Sequence, residues 1–130
     1  MRGKINPHIG VTDANLRSQI RSALRKVWRN SARRQHIQNT RVPYSGKGRF
    51  KYGVRCESCG KIMGQSERVR PTLKDGGTAK RLKLAYEVDH VDGNPQFLDI
   101  RNDLGEYAHG LLYGKMQTLC LDCHSRKTYK

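Results

Sequence analysis

The segment LCLDCHSRKT, residues 119–128, decides the fold because it contains half of a possible metal site. Cys120 and Cys123 form one CxxC pair in this segment, and Cys56 and Cys59 form another far upstream. Two distant CxxC pairs are the usual spacing of a tetrahedral structural zinc site. Two disulfides in a secreted protein are the alternative, but the opening MRGKINPHIG lacks the apolar stretch of a signal peptide. The spacing therefore predicts zinc, in a reducing compartment such as the cytoplasm.

The composition predicts a small domain that needs such a metal. The chain has 130 residues, of which 35% are hydrophobic, so it can bury only a modest core. Its apolar runs are all shorter than the roughly 20 residues of a membrane-spanning helix. We therefore expect no membrane partner, and nothing in the sequence indicates a small-molecule substrate.

Positive charge is concentrated before the first cysteine. Residues 1–55 hold 14 lysines and arginines against one acid, a net charge of +13, whereas residues 56–130 carry a net charge of +2. Chains this basic most often bind nucleic acid, because their cations release condensed counterions from phosphates. The asymmetry predicts a basic N-terminal extension, residues 1–53, that docks on DNA, and a compact module, residues 54–130.

The extension contains a predicted amphipathic helix, residues 12–37, with Thr12 or Asp13 as its N-cap. Apolar residues recur at helical spacing on one face: Leu16, Ile20, Ala23, Leu24, Val27 and Trp28. Arginines recur every four residues on another face: Arg17, Arg21, Arg25, Arg29 and Arg33. Like charges at this spacing repel each other. The stripe is therefore either a solvated face or a surface that contacts phosphates.

The module is expected to contain strands and one short helix. Phe50, Tyr52 and Val54 alternate with the basic Lys51 and Arg55, which predicts a strand before the first cysteine pair. The segment RLKLAYEVDH, residues 81–90, predicts a strand that ends at the turn VDGNP. The segment LLYGKMQTL, residues 111–119, predicts another strand, and CLDCHSRKTYK predicts the helix.

Three residues of the module suggest chemistry beyond structural zinc. Asp89 and His124 together could hold a Mg²⁺- or Mn²⁺-type ion with open coordination positions. His90 could take a proton from water, which would complete the requirements for phosphodiester hydrolysis. Each residue also has an ordinary explanation, as a turn former, a buried core histidine and a surface residue respectively.

The segments YEVDHVDGNP and LCLDCHSRKT together resemble the HNH endonucleases of the ββα-metal class, in their four-cysteine zinc form. The resemblance covers about residues 54–130. It implies an α+β fold, in which a treble-clef-like ββα-metal module stapled by zinc follows a basic helical extension. It also implies a phage, prophage or mobile-intron origin, and hence the bacterial host cytoplasm.

The same resemblance implies a role for each site residue. His90 would be the general base, and Asp89 and His124 would hold one catalytic divalent metal. The structural zinc would be held by the four cysteines Cys56, Cys59, Cys120 and Cys123. Hydrolysis of DNA would leave a 5′-phosphate and a 3′-hydroxyl.

The sequence departs from the family at one position. Lys115 stands where members usually have the asparagine that braces the loop after the base. Asn94, close to His90 in sequence, is the better candidate for that brace, and Asn102 is another. His109 is a minor alternative site residue, and its ordinary explanation is a loop residue.

The alternation of a strand raises a geometric question about the two adjacent site residues. In a regular strand, Asp89 and His90 point to opposite faces. We therefore expect either an irregular strand there or an approach to the phosphate from two sides. A regular strand that directs His90 into an apolar core would argue against catalysis.

Other functions remain open at the level of sequence. The basic residues expected to contact DNA are the five arginines of the stripe, Lys51, Arg55, Arg126 and Lys127. The main alternative is a non-catalytic zinc-dependent nucleic-acid-binding protein with a decayed HNH site. A ribonuclease or a partner in phage assembly and packaging is a third possibility, and a homodimer is compatible with each.

Overall fold

The structure is a computed structural model that describes residues 4–46, 51–73 and 75–128. Its helices are α1 (Asp13–Asn30), α2 (Ala32–Thr40), α3 (Ile100–Tyr113) and α4 (Leu121–Thr128). Its strands are β1 (Val42–Pro43), β2 (Tyr52–Arg55), β3 (Ile62–Gly64), β4 (Arg68–Val69), β5 (Lys83–Leu84), β6 (Tyr86–His90) and β7 (Met116–Cys120). This mixture of helices and small sheets confirms an α+β protein. Phe50 lies outside the described residues.

The chain divides into two compact units by its internal contacts. The helical unit comprises Met1–Gln35 and His90–Lys115, and the zinc-site unit comprises His36–Asp89 and Met116–Lys130. Each unit is therefore built from two separate stretches of sequence. The predicted boundary at residue 53 separates a DNA-docking extension from the compact module. It was drawn from the distribution of charge, and it stays a prediction.

The helical unit is formed by α1 and α3. Thr12 caps α1, because its hydroxyl accepts the backbone N–H of Asn15 at 3.1 Å. The carboxylate of Asp99 caps α3 in the same way, accepting the N–H of Arg101 at 3.0 Å. Phe97, Tyr107 and Leu111 form the buried core, against which the partly buried apolar residues of both helices pack: Ile20, Leu24, Trp28, Ile100 and Leu104.

The region after the turn VDGNP differs from the sequence-based prediction. Residues 111–113 end helix α3 instead of beginning a strand, and the strand starts only at Met116. Gly114 separates the two elements. A Cβ atom at Gly114 would lie 2.3 Å from the carbonyl oxygen of Gly110, so only glycine fits there. The helical period of 100–113 was missed because polar residues interrupt it: Asn102, Asp103, Glu106 and His109.

Two arginines of the stripe are used inside the helical unit. Arg17 Nη1 donates to the carbonyl oxygen of Leu98 at 2.6 Å, and Arg21 Nη2 donates to that of Phe97 at 2.9 Å. Arg21 also lies over the Phe97 ring, 5.7 Å from its centroid. Arg25 and Arg29 are exposed. The first half of the stripe therefore joins α1 to the segment before α3, and the second half faces solvent.

The zinc-site unit contains the sheets. Strands β1, β2 and β3 form an antiparallel sheet, β4 pairs with β5, and β6 pairs with β7. The predicted strand over residues 81–90 is therefore two short strands, β5 and β6. Val54 and Met63 are fully buried between neighbouring strands, together with Tyr86, Val88 and Leu119. In the chain, β6 is followed by α3, β7 and α4. Helix α4 therefore comes directly after the second strand of the β6–β7 pair, and it begins within the second cysteine pair.

Within the described ranges, the structure has no helix of the length and apolar character that a bilayer span requires.

The two halves of the stripe should differ in their effect on stability. Replacing both Arg17 and Arg21 by glutamine removes two charge-assisted hydrogen bonds, and we expect a loss of about 1–3 kcal/mol in the free energy of unfolding. Replacing the exposed Arg25 and Arg29 should change it by less than about 0.5 kcal/mol. Urea unfolding of both double variants measures the difference. Equal losses would contradict the assignment.

Candidate metal centre and active site

The four cysteines converge on one point in the zinc-site unit. One ligand atom from each of Cys56, Cys59, Cys120 and Cys123 lies within 4.8 Å of all the others. Cys59 Sγ and Cys120 Sγ are 3.8 Å apart, which is too far for a disulfide of about 2.05 Å. Two ligands of a tetrahedral zinc ion with bonds of about 2.3 Å would be separated by nearly this distance. The predicted four-cysteine cluster is therefore formed, and it could hold zinc.

The first cysteine pair adopts a tight turn that presents both sulfurs to one side. The backbone N–H of Cys59 donates to Cys56 Sγ at 3.5 Å, and Gly60 N–H donates to the carbonyl oxygen of Cys56 at 2.9 Å. Gly60 has φ +81°, as expected for the residue that closes such a turn, because glycine has no steric cost there. The turn is thus built from local bonds before any metal is considered.

Glu57 attaches this turn to strand β7. Its backbone N–H donates to the carbonyl oxygen of Thr118 at 2.8 Å, and its carboxylate accepts the N–H of Thr118 in return. The same carboxylate lies 3.2 Å from His36 Nε2. Glu57 therefore aligns the two cysteine pairs. Sequence reasoning did not identify this role, because nothing in the spacing of Glu57 indicates its partner in β7.

The thiols of the cluster are not equivalent. Burial raises the pKa of Cys56, but backbone N–H groups of Cys120, Cys59 and Ser58 outweigh that effect and lower it to about 6. Burial also raises the pKa of Cys120, and crowding by the neighbouring thiols raises it further. Four adjacent thiolates would repel one another strongly without a cation. The cluster is thus suited to a metal whose binding displaces the remaining thiol protons.

Asp89 and His124 lie close together, as the sequence predicted. His124 Nε2 is 3.8 Å from Asp89 Oδ2, and the two side chains are 30% and 21% exposed. His124 is placed by α4, whose first turn carries Cys123, and Asp89 is placed by β6. The cysteine cluster therefore orients the helix that presents His124.

Of the two carboxylate oxygens of Asp89, Oδ1 has the environment that most favours a metal ion. Asp89 Oδ1 is buried, and among the described residues it has no hydrogen-bond partner. A buried carboxylate oxygen without a donor is costly. A divalent cation prefers an oxygen and an imidazole nitrogen as ligands at about 2.0–2.2 Å. The pair therefore fits such an ion in its donor atoms, and both groups keep enough exposure to be reached.

Lys127 currently neutralises Asp89. Its Nζ lies 3.2 Å from Asp89 Oδ2, the oxygen that also faces His124. Lys127 was predicted to contact phosphate, which stays a prediction; in the structure its ammonium group pairs with the carboxylate of Asp89. A divalent ion on Asp89 would be close to this charge and would have to displace it.

His90 is placed differently from the other two site residues. It is buried, at 4% exposure, and belongs by its contacts to the helical unit. Along β6, Tyr86, Val88 and His90 are buried while Glu87 and Asp89 are half-buried, so the strand alternates regularly to its end. Of the two alternatives expected here, the irregular strand was wrong, and an approach to the phosphate from two sides stays a prediction. A regular strand that buries His90 is the arrangement that argues against catalysis.

The contacts of His90 determine which nitrogen carries its hydrogen. Its Nε2 lies 2.8 Å from the carbonyl oxygen of Leu111. A carbonyl oxygen only accepts, so Nε2 must donate and the lone pair is on Nδ1 in the neutral ring. The ring also stacks on Trp28, with centroids 5.4 Å apart and planes at 30°. Sequence reasoning missed both contacts, because they join residues far apart in the chain.

The candidates for the bracing asparagine have different surroundings. Asn94 is exposed. The amide of Asn102 donates to Asp99 Oδ2, within the N-terminal cap of α3. His109 packs on Tyr113 in the same helix, with ring centroids 5.0 Å apart. Lys115 contributes its carbonyl oxygen, which accepts the N–H of Val91 at 2.9 Å and so closes the segment that follows His90.

The remaining predicted DNA contacts lie on the surface. Arg25, Arg29, Lys51 and Arg55 are exposed, and Arg33 is half-buried. Arg126 reaches Cys123 Sγ at 3.7 Å, so part of its guanidinium charge is directed at the cysteine cluster.

A second group of basic residues lies near His124 in the zinc-site unit. A cavity of about 460 Å³ is lined by His124 and by three cations, Lys61, Arg70 and Lys83, together with the acidic Glu67 and Asp122. None of the three cations belongs to the basic N-terminal stripe. Lys83 is paired with Glu87 at 3.1 Å, which offsets part of the charge.

Comparisons with descriptions of protein families, with curated proteins and with solved structures found no significant match.

Removing the metal from the cysteine cluster should destabilise the zinc-site unit. The free energy of binding at such sites contributes directly to folding, so Cys123→Ser should cost at least about 3 kcal/mol and lower the melting temperature by roughly 10 °C or more. Thermal unfolding followed by circular dichroism, with zinc and with a chelator, measures this. Ser58→Ala is the matched control. A chelator-insensitive melt of the wild type would contradict a structural zinc.

Lys127 should compete with a divalent ion at Asp89. In Lys127→Met the carboxylate loses its cation, and we expect the half-saturating Mn²⁺ concentration to fall about threefold to tenfold. The electron paramagnetic resonance signal of free Mn²⁺ measures binding without reference to activity. Lys80→Met makes the same charge change at an exposed position and serves as the control. Weaker Mn²⁺ binding in Lys127→Met would show that the lysine supports the site.

Proposed function

We propose that this protein is a metal-dependent DNA endonuclease of the HNH type. The observation that carries the proposal is the Asp89–His124 pair, in which Asp89 Oδ2 lies 3.8 Å from His124 Nε2 on the helix of the second cysteine pair. The other carboxylate oxygen, Asp89 Oδ1, is buried and has no donor among the described residues. The paired strands β6 and β7 and the helix α4 beside the cysteine cluster are the elements that a ββα-metal module would use, with α3 inserted between the two strands in the chain. The net charge of +15 supports a polyanionic substrate.

In the proposed reaction, Asp89 and His124 would hold one divalent cation, and that cation would supply a Lewis acid at the phosphate and the leaving oxygen. His90 Nδ1 accepts a proton as the oxygen of a water molecule attacks phosphorus. The bond between phosphorus and the 3′-oxygen breaks, and the leaving oxygen takes a proton from a solvent water molecule, which leaves a 5′-phosphate and a 3′-hydroxyl. The hydrogen bond from His90 Nε2 to the carbonyl oxygen of Leu111 supports this role, because it leaves the lone pair on the other nitrogen.

The basic surface has a separate role in this proposal. The exposed Arg25, Arg29, Lys51 and Arg55 would contact the phosphate backbone and position the DNA without reading its sequence. Phosphate contacts of this kind make binding depend strongly on salt. Lys127, once displaced from Asp89, would be available for a phosphate near the scissile bond.

A second candidate function is supported by the burial of His90. A histidine that is 4% exposed and stacked on Trp28 resembles a satisfied core residue, and a general base must be reached by water. On that interpretation the protein binds nucleic acid through its basic surface, zinc serves only the fold, and the HNH site has decayed.

Plasmid cleavage separates the two candidates. Purified protein is assayed with Mg²⁺, Mn²⁺ or Ni²⁺, and with EDTA, beside the variants His90→Ala, Asp89→Asn and His124→Ala. We expect nicked or linear product from the wild type and a loss of about 10²-fold to 10⁴-fold in rate for His90→Ala. His109→Ala, an exposed histidine of α3, should cleave like the wild type.

The opposite result has an equally clear interpretation. No cleavage with any metal, combined with salt-sensitive DNA binding by wild type and His90→Ala alike, would leave the non-catalytic binding protein. Cleavage that survives in His90→Ala would remove this residue from the role of general base.

A further inference from the structure

We infer that Trp28 is a positioning residue for His90, so that the N-terminal helix is part of the active site as well as a surface for DNA. This inference rests on the proposed function. Helix α1 lies outside the residues that resemble the HNH family, and its arginines suggested only DNA docking. The contacts within the helical unit assign it a second role.

The first step of the argument is the stacking contact. The rings of Trp28 and His90 have centroids 5.4 Å apart and planes at 30°. The imidazole of a histidine can rotate about two side-chain bonds unless neighbouring groups block that rotation. The indole covers one face of the ring, and so restricts rotation that would carry Nδ1 away from its position.

The second step is the enclosure of the ring from α3. The carbonyl oxygen of Leu111 holds Nε2 at 2.8 Å. A Cβ atom at Gly114 would lie 3.2 Å from His90 Cδ2, so the chain after α3 approaches the ring edge closely. The carbonyl oxygen of Leu111 therefore defines the tautomer of the imidazole. The chain at Gly114 limits the position of the ring edge, and the Trp28 indole limits the orientation of the ring plane.

The third step is the attachment of Trp28 itself. Its indole packs with Ile20 and Leu24 against the buried core of Phe97, Tyr107 and Leu111. Arg17 and Arg21 bind the carbonyl oxygens of Leu98 and Phe97 at the start of that segment. Helix α1 is thus attached through Arg17, through Arg21 and through its apolar residues. Trp28 packs on the same core that contains Leu111, and the carbonyl oxygen of Leu111 binds His90.

A general base must be aligned with the attacking water, and a misplacement of about 1 Å can cost up to about 10²-fold in rate. We therefore expect Trp28→Leu to lower kcat for DNA cleavage by roughly 10-fold to 10²-fold with little change in KM. Trp28→Phe keeps an aromatic face and should stay within about threefold of the wild type. Leu24→Ala weakens the same helix packing without touching His90, and is the matched control.

A spectroscopic measurement tests the position of the ring without cleavage. Proton–nitrogen correlation spectra of ¹⁵N-histidine protein should show the His90 Nε2–H tautomer in the wild type, Trp28→Phe and Leu24→Ala. The resonance should broaden or shift to a mixture of tautomers in Trp28→Leu. All spectra and rates are taken at a temperature where thermal melts show each variant folded.

Four results would overturn the inference. An equal fall in kcat for Leu24→Ala and Trp28→Leu would reduce Trp28 to a packing residue. Faster cleavage by Trp28→Leu would mean that the indole blocks the base. Unchanged kcat and tautomer in Trp28→Leu would remove the role while the nuclease proposal stands, whereas a wild type that cleaves no DNA would overturn both together.

Discussion

The convergence of four sulfur atoms is the constraint on which the zinc-site unit depends. Their ligand atoms lie within 4.8 Å of one another, although two come from the turn after β2 and two from the end of β7 and the start of α4. A chain with 35% hydrophobic residues has little other means to hold these elements together. A metal that binds all four thiolates joins them, and the bonds of Glu57 to Thr118 set their alignment. Because His124 follows Cys123 directly, the structural centre also orients a side chain that takes no part in it.

The carboxylate of Asp89 would control the binding of a divalent ion next to the cysteine cluster. Asp89 has a buried oxygen without a described donor and a second oxygen between Lys127 and His124. An ammonium group satisfies the charge of such a carboxylate, but it leaves the buried oxygen unused. A divalent cation could engage the carboxylate and the imidazole together. Competition between a lysine and a metal for the same anion makes the affinity for metal a property of the surrounding charges as well as of the ligands.

The two histidines of the proposed site illustrate how environment assigns roles to the same side chain. His124 is 30% exposed and lies near a carboxylate, where neutral imidazole can bind a metal. His90 is buried, donates to a carbonyl oxygen and stacks on an indole. These contacts restrict the ring and define its tautomer, which suits a proton acceptor. The same burial limits the access of water, so the proposed activity would depend on how water and substrate reach this residue.

The sequence by itself determined the elements that rest on local spacing. Local patterns predicted the two CxxC pairs, the glycine after the first pair, the threonine cap of α1 and the short helix α4. The proximity of Asp89 to His124 was expected from a possible shared metal and from the resemblance to the HNH family, because no local pattern joins residues on β6 and α4. Helix α3 was missed because polar residues interrupt its apolar face. Only the tertiary structure decided that Arg17 and Arg21 bind backbone carbonyls, that Lys127 lies on Asp89, and that Trp28 covers His90. Those contacts join residues between 38 and 81 positions apart in sequence. They depend on how the elements pack, and packing is set by the whole core rather than by any local pattern.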